Sequence, residues 1–373
     1  MKIIGIICEY NPLHNGHVLH FNSIPKENDD IVIAVISGNV VNRGEISVIN
    51  KFDKTSLALL LGVNIVIELP SVYAIQSSDT FSKRAIEILS YIGVSDIYFG
   101  SESNDIKTID KYYKYTTTSL YNNILKSFMQ NGDSYKSASI NALNHAGFSS
   151  LGPNDMLGIG YYKAVCENNF PIELHTIKRE SNYASPFNEG SITSATSIRL
   201  NPTSVSFTCP KYTYDLYSQK GFIDTTKIFN YLKVLILSHN MKNIFLIDEG
   251  FENAITSIYK YDSYDKYLES LNTKRYSISK ISRIMLCILF NITWDDMDII
   301  NKMPISFVRI LGYDDLGLSY IKSIKKDKVL YTNIKEGLNP ILDIELKISK
   351  ILDSIYNLNL LELEQSSPIK KSK

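Results

Sequence analysis

The first 200 or so residues alternate between short β-branched apolar runs and longer segments of helical periodicity, and that alternation leaves few folds open. Ile3 to Cys8 reads as a buried strand, Ile31 to Ile36, Ile65 to Leu69 and Asp96 to Phe99 as further strands, and Glu173 to Lys178 as a candidate fifth. Between them, one helix opens near Asn15 and a second runs from Lys51 to Leu61, with Gly62 as its stop. An amphipathic helix spans Thr80 to Ile92 and ends at Gly93, and another opens at Pro153-Asn154-Asp155 with Met156 to Cys166 as its body. Strands that alternate with helices are joined by crossovers, so they run parallel and are covered on both faces. Residues 1–203 therefore read as an α/β, Rossmann-like domain around a parallel sheet, closed by the turn Asn201-Pro202-Thr203. In such sheets ligands bind beyond the carboxyl ends of the strands, where the strand order switches.

From about residue 205 the pattern changes. Lys274 to Phe290 and Pro340 to Leu361 read as long helices without interleaved strands, so residues 204–365 are predicted to form a mostly α-helical C-terminal domain. Gly312, in Arg309-Ile310-Leu311-Gly312-Tyr313, reads as a helix end, and residues 366–373 as a frayed, polar and basic tail. A chain of 373 residues suits two domains. Lys+Arg and Asp+Glu both number 39, and this neutrality argues against a non-specific nucleic-acid coat while leaving room for a local basic face. The apolar N-terminus is interrupted at Glu9 and Asn11, and no run reaches the roughly 18 apolar residues of a membrane span. Cys8, Cys166, Cys209 and Cys287 are too scattered for a disulfide framework or a zinc site. A cytoplasmic protein with no metal site is the expectation.

The residues richest in chemistry lie just after the first strand. Three of the six histidines, His14, His17 and His20, fall in the first 20 residues. His14 and His17 are three apart and share one helix face. Gly16 between them would let a nucleotide lie against the backbone. A strand before and a helix after would bring two imidazoles and free N–H groups to a phosphate, the donors that adenylyl transfer needs. Isolated, such a pair could also be metal ligands or surface histidines, although no Asp, Glu or Cys stands at an obvious completing position. Ser194-Ala195-Thr196-Ser197-Ile198-Arg199, about 180 residues later, offers hydroxyls at a helix start and the Arg199 fork. Alone it reads as a capping motif; paired with the HxGH it resembles a phosphate-gripping segment, through Ser194, Thr196 and Arg199. Lys274, Arg275, Lys280 and Arg283, with Tyr276 close to the face of Lys280 and Arg283, could hold RNA phosphates and stack a base, or form a solvated helix face.

Taken in order, the motifs resemble the bacterial tRNA(Met) cytidine acetate ligases of the HxGH nucleotidyltransferase superfamily. The likeness is carried by Gly5 to His17, Ser37-Gly38-Asn39, Arg43-Gly44-Glu45, Val66 to Pro70, Phe99-Gly100-Ser101-Glu102, Pro153-Asn154-Asp155 and Ser194 to Arg199. Thr273 to Tyr276 and Arg309 to Gly312 extend it into the second domain. The resemblance implies that acetate attacks the α-phosphate of ATP to give acetyl-adenylate and pyrophosphate. The wobble cytidine (C34) of elongator tRNA(Met) then takes the acetyl group as N4-acetylcytidine, releasing AMP. It implies catalytic roles for His14 and His17, and ATP contacts from Ile7, Cys8, Glu9, Tyr10, Asn11, Pro12, Leu13, His14, Asn15, Gly16, His17, Val18, Leu19 and His20. Gly100, Asn154 and Arg179 enter the ATP site on the resemblance alone, since singly they read as a turn glycine, an N-cap and a surface arginine. Mg2+ would accompany the triphosphate, the helical domain would help bind tRNA, and neither a membrane nor a protein partner is implied. Two positions depart from the family pattern, Asn42 in place of Gln and Ile46 in place of Pro, and the loop around Tyr183 to Gly190 is unusual. The alternatives are a small-molecule adenylyl- or cytidylyltransferase with an appended helical domain, and a non-enzymatic RNA-binding protein that kept a nucleotide pocket.

Overall fold

In the computed structural model, which describes residues 1–148, 151–179, 192–248 and 250–371, each strand expected in the first 200 residues forms. These five are β1 (Ile3–Cys8), β2 (Ile31–Ser37), β5 (Ile65–Leu69), β6 (Asp96–Ser101) and β7 (Glu173–Lys178), and between β2 and β5 an unexpected hairpin of two-residue strands forms as well, β3 (Val40–Val41) and β4 (Glu45–Ile46). The parallel order is β5-β2-β1-β6-β7. Every residue of β2 and β5 is buried, which is why these strands read as unbroken apolar runs and not as alternating ones. The chain steps from β1 out to β2 and β5, then returns to lay β6 on the other flank of β1. The order therefore switches between β1 and β6, and beyond the carboxyl ends at such a switch is where sheets of this kind bind ligands.

Helix α1 (Asn15–Asn22) follows β1 directly. Helix α2 (Lys51–Leu61) starts where the Asn50 side chain accepts the N–H groups of Phe52 and Asp53, and it ends at Gly62 with φ +117°. Three further helices, Ile106–Thr116, Ser119–Gln130 and Tyr135–His145, fill a connection that carried no assignment from sequence patterning.

The C-terminal half is mostly helical, but the expectation of helices without strands fails there. β8 (Val308–Tyr313) inserts antiparallel beside β5, β9 (Leu330–Tyr331) pairs with it, and β10 (Ile369–Lys370) lies along its other edge. Gly312 is therefore a strand residue and not a helix end. A Cβ there would stand 2.6 Å from Thr55 and 2.8 Å from the carbonyl of Ile369. The tail expected to fray is pinned as far as Lys371, whose N–H donates to Tyr313. The Lys274–Phe290 helix begins only at Ile278, capped by Ser277, so Tyr276 precedes it. The last long helix breaks at Asn357, φ +54°, into Pro340–Tyr356 and Leu360–Gln365. Among the described residues no helix is long and apolar enough to cross a membrane.

A buried ionic network fastens these C-terminal elements to the sheet. Lys51 Nζ lies 2.5 Å from both Glu68 and Glu364 and 3.7 Å from Glu345. Arg309, in β8, pairs with Glu364 and stands 3.6 Å from Glu68. All five side chains are inaccessible to solvent. Burial, with Glu68 adding to it, pushes the Glu345 carboxyl up to about 8. At neutral pH that carboxyl holds a proton, which leaves two cations facing two carboxylates. The cluster is electrically balanced, the condition under which buried charge is tolerated.

Candidate active site

The turn after β1 is tightly held. Tyr10 is buried with φ +46°, a region that costs a non-glycine residue. The Asn11 side chain accepts from the N–H of Val48 at 2.8 Å and the hydroxyl of Ser47 at 3.1 Å, which ties the turn to the segment after β4.

The two motif histidines then cap α1 in an unusual way. His14 is the N-cap residue, and its Nδ1 accepts from the N–H of Gly16 at 3.1 Å. His17 reaches back, its Nδ1 accepting from the N–H of His14 at 3.2 Å. This is a capping box with imidazole in place of hydroxyl and carboxylate. The consequence is chemical. A nitrogen that accepts an N–H carries no proton, so in each neutral ring the proton sits on Nε2. Both rings thus present a fixed Nε2–H donor. They stack at 3.9 Å between centroids, with Tyr10 edge-on to His17 at 5.0 Å. Gly16 is needed for this arrangement, because a Cβ would meet the His14 ring at 2.9 Å.

The site is tuned against protonation of these rings. Burial, then the Arg179 guanidinium, lowers His14 to about 3 and His20 to about 4. Burial, His14, Arg179 and His20 together hold His17 well below its ordinary value. Among the described residues the Nε2 of His20 is buried without a hydrogen-bond partner. A cleft that discourages cations on its own histidines, yet keeps an arginine beside them, is built to receive an anion.

Arg179 follows β7 and lies across the end of β6. Its stem passes 3.1 Å from where a Cβ on Gly100 would be, which favours glycine at that strand end. Its Nη1 donates to the Asn154 side-chain oxygen at 3.2 Å. The three residues that chemistry alone could not select are thus in one contact chain over the β1/β6 switch.

The profile of the HIGH Nucleotidyl Transferase family matches residues 1–367. Over 369 residues the chain is 34% identical to the tRNA(Met) cytidine acetate ligase of Staphylococcus aureus, covering 95% of this chain and 96% of that one. The chain belongs to the HIGH nucleotidyl transferase family. The ligase of the same name from Caldicellulosiruptor saccharolyticus is 32% identical over 375 residues, covering 94% and 93%. Crystal structures of Thermotoga maritima TmcAL are similar over 99% of both chains. The form bound with alpha-thio ATP has a TM-score of 0.85 at 26% identity, and the apo form 0.86 at 27%.

The other HIGH-family positions fall into distinct surroundings. Ile7 and Cys8 close β1 at the cleft, and burial lifts the Cys8 thiol to about 12, so it stays protonated. Leu13 and Tyr10 are core side chains and can reach a ligand only through their backbone. Pro12 follows Asn11 through a cis peptide. Asn15 Nδ2 donates to the carbonyl of Phe207 at 3.2 Å, while Val18 packs on the core and Leu19 is exposed. Glu9 accepts from the N–H of Asn42 at 2.6 Å. Asn42 in turn donates to the carbonyls of Ala74 and Gln76, so this departure from the family pattern fills a structural position. Ile46 is buried in β4 opposite Val40. The loop from Tyr183 to Gly190 lies outside the described residues.

Ser194 caps the helix Ala195–Leu200, and within it the Thr196 hydroxyl accepts from Arg199 at 3.5 Å. Arg199 donates to the carbonyl of Asn11 at 2.9 Å and to Glu45 at 3.0 Å, which clamps the HxGH turn to β4. Arg43, which entered from sequence only within the Arg43-Gly44-Glu45 match and with no role assigned, reaches Thr196 from the hairpin at 3.5 Å.

The basic residues expected at RNA separate. Lys274 and Arg275 are exposed. Lys280 stands over the Tyr276 ring, 3.5 Å from Asp248. Tyr276 is buried and stacked on Phe251, so it offers no face to a base. Arg283 turns inward to the carbonyl of Asn42 at 3.3 Å, and burial lowers its pKa. Asp96, Glu173 and His175 come within 4.8 Å of one another. That trio sits at the far, amino-terminal end of β6 and β7, with the Lys2 ammonium 3.2 Å from Asp96.

Proposed function

We propose that this chain is an ATP-dependent acetate–tRNA ligase: it activates acetate as acetyl-adenylate and passes the acetyl group to the wobble cytidine of elongator tRNA(Met). The observation that carries the reading is the double-imidazole capping box at the N-terminus of α1, which leaves Nε2 as the protonated nitrogen of both rings at a helix N-terminus, with the Arg179 charge acting on both. The full-length likeness to the named ligases and to TmcAL bound with alpha-thio ATP supports the substrates.

In the first step an acetate oxygen attacks the α-phosphorus. A P–O bond forms to the carboxylate, and the bond to the bridging oxygen breaks, its electrons leaving with pyrophosphate. His14 and His17 hold the phosphates and stabilise the charge that gathers on the departing group. Gly100, Asn154 and Arg179 complete the nucleotide site, and Ser194, Thr196 and Arg199 brace it. Magnesium would accompany the triphosphate as part of the nucleotide substrate. The groups around the capping box are N–H and imidazole donors suited to phosphate, and the nearby Glu9 is already engaged by Asn42. In the second step the cytidine N4 amine attacks the acetyl carbon, an N–C bond forms, AMP leaves as the C–O bond breaks, and the amine gives up one proton to solvent. The mostly helical part of region 204–365 supplies tRNA contacts, with the exposed side chains of Lys274 and Arg275 as the basic groups that meet phosphates. A tRNA substrate fits a cytoplasmic protein.

The test is pyrophosphate release from ATP with acetate, with and without tRNA(Met), followed by nucleoside analysis of the tRNA. Acetate-dependent release together with N4-acetylcytidine establishes both steps. Release driven by a phosphate ester and indifferent to acetate refutes the reading.

A further inference from the structure

Glu102 lies just beyond β6 and has no role in the chemistry above, yet it determines how the nucleotide site is held. The helix Pro153–Asn168 opens at Gly152, which has no side chain to cap it, and Pro153 has no N–H. The next two N–H groups both go to Glu102. Asn154 donates at 3.1 Å and Asp155 at 3.0 Å to Oε2, and the Asn154 side-chain nitrogen donates to Oε1. Gly152 is required for that seat, since a Cβ would fall 2.3 Å from the Glu102 carboxyl carbon. Asp155 returns the contact, accepting from the Ser101 hydroxyl and, at 2.9 Å, from the N–H of Ser103. Two carboxylates thus latch the end of β6 to the start of the helix.

The latch fixes a polarity. An ionised carboxylate only accepts, so the Asn154 amide must turn its NH2 toward Glu102. Its oxygen is thereby directed at Arg179, which it receives at 3.2 Å. Reversing the amide would set NH2 against guanidinium, donor against donor.

We propose that Glu102 is the positioning residue of the ATP site, setting the Asn154 amide and through it the Arg179 guanidinium before nucleotide arrives. This rests on the reading of Asn154 and Arg179 as ATP ligands. Glu102→Gln is nearly isosteric but carries an NH2 that must face either Asn154 or the N–H of Asp155. The first choice flips the Asn154 amide against Arg179, and the second turns the new NH2 against the N–H groups of Asn154 and Asp155, which share that oxygen. Asn154→Asp alone sets two carboxylates against each other. The pair Glu102→Gln/Asn154→Asp keeps the net charge. In it the new carboxylate at position 154 can accept both from the new amide at position 102 and from Arg179.

The experiment is equilibrium binding of α,β-methylene ATP to the full-length chain and these three variants, with thermal melts and the KM for acetate alongside. Glu102→Gln should weaken nucleotide binding about tenfold or more, leave the KM for acetate within about twofold, and shift Tm by no more than a few degrees. The double variant should recover at least half of that loss on a logarithmic scale. Wild-type affinity in Glu102→Gln, or losses that simply multiply in the double variant, would overturn the proposal. Should Glu102→Gln fail to fold, the comparison of the double variant with Asn154→Asp decides: tighter binding supports the latch, and equal or weaker binding overturns it. A wild-type chain that binds no nucleotide removes the functional reading itself and this inference with it.

Discussion

Arg309→Met offers the cleanest measure of what the C-terminal elements contribute to the sheet. The substitution leaves an apolar side chain in a site inaccessible to solvent and strips Glu364 and Glu68 of one cation. Removing one partner of a buried pair costs about 3–5 kcal/mol, because the other charge stays buried. Unfolding entropy is about 2.1 cal/mol/K per residue, so 373 residues unfolding together give about 0.8 kcal/mol/K and a Tm lower by roughly 4–6 °C. The pH dependence has a definite sign. Burial works to raise the Glu364 carboxyl, but Lys51 and Arg309 outweigh it and hold it below its ordinary 4.5. A depressed carboxyl contributes stability above its unfolded pKa and loses it as pH falls through the folded one. Without Arg309 that contribution shrinks, so wild type and variant should differ most at neutral pH and converge below about pH 4.5. Adding Glu364→Gln restores the charge balance and should return at least half of the lost Tm. Calorimetric scans from pH 4 to 8 read all of this. A variant within a degree of wild type at pH 7, or a gap that widens on acidification, would refute the reasoning.

His17→Ala should reduce acetate-dependent pyrophosphate release by about 10²–10³, the usual cost of one preorganised donor, with little change in Tm; a near-normal rate in folded protein counts against the capping-box mechanism. With His14 near 3 and His20 near 4, the free enzyme should show no histidine limb in kcat/KM for ATP between about pH 5 and 8. An acid limb near pH 6.5 that vanishes in His14→Gln would sink the neutral-imidazole assignment. Glu345, raised to about 8 from 4.5, contributes a stability that is fully present below the unfolded value and lost as pH rises through 8. Glu345→Gln should therefore flatten the fall in Tm between about pH 5 and 9, and parallel curves would contradict the buried proton. Gly44 has φ +84°, and a Cβ there would come 2.4 Å from the backbone of Arg283. Gly44→Ala should cost at least about 1 kcal/mol in denaturant melts, and a neutral effect would show that the hairpin and the Ile278–Phe290 helix are not in contact.

The central strands β2 and β5 were legible because they are buried on both faces and so show as uninterrupted apolar runs, whereas the edge strand β7 is at most half-buried and its residues are mixed. β8 was hidden by Arg309, a charge in the middle of such a run. Only the carboxylates of Glu68 and Glu364, distant in sequence, make that charge tolerable. β10 was hidden because Ile369 and Lys370 carry no strand pattern of their own and borrow their order from β8. At the site the HxGH spacing was visible, but the reason for Gly16 was not, since it depends on the His14 ring folding back. Tyr276 looked like an RNA platform because sequence could place it beside Lys280 but could not supply Phe251 on its other face. Glu102 gave no local signal because its partners lie 52 residues and more along the chain.

The position of β8 also bears on how the chain can be born. Until residue 313 has left the ribosome, β5 is an open edge of apolar backbone, and Lys51 and Glu68 lack Arg309 and Glu364. The nucleotide-binding half is thus synthesised first but closed last. A nascent chain stopped near residue 203 holds the whole HxGH segment on a sheet with an unpaired edge, the kind that invites association with other chains. Fragments cut at that point should aggregate more readily than the whole chain, and chaperones meeting this protein during synthesis will meet it at β5.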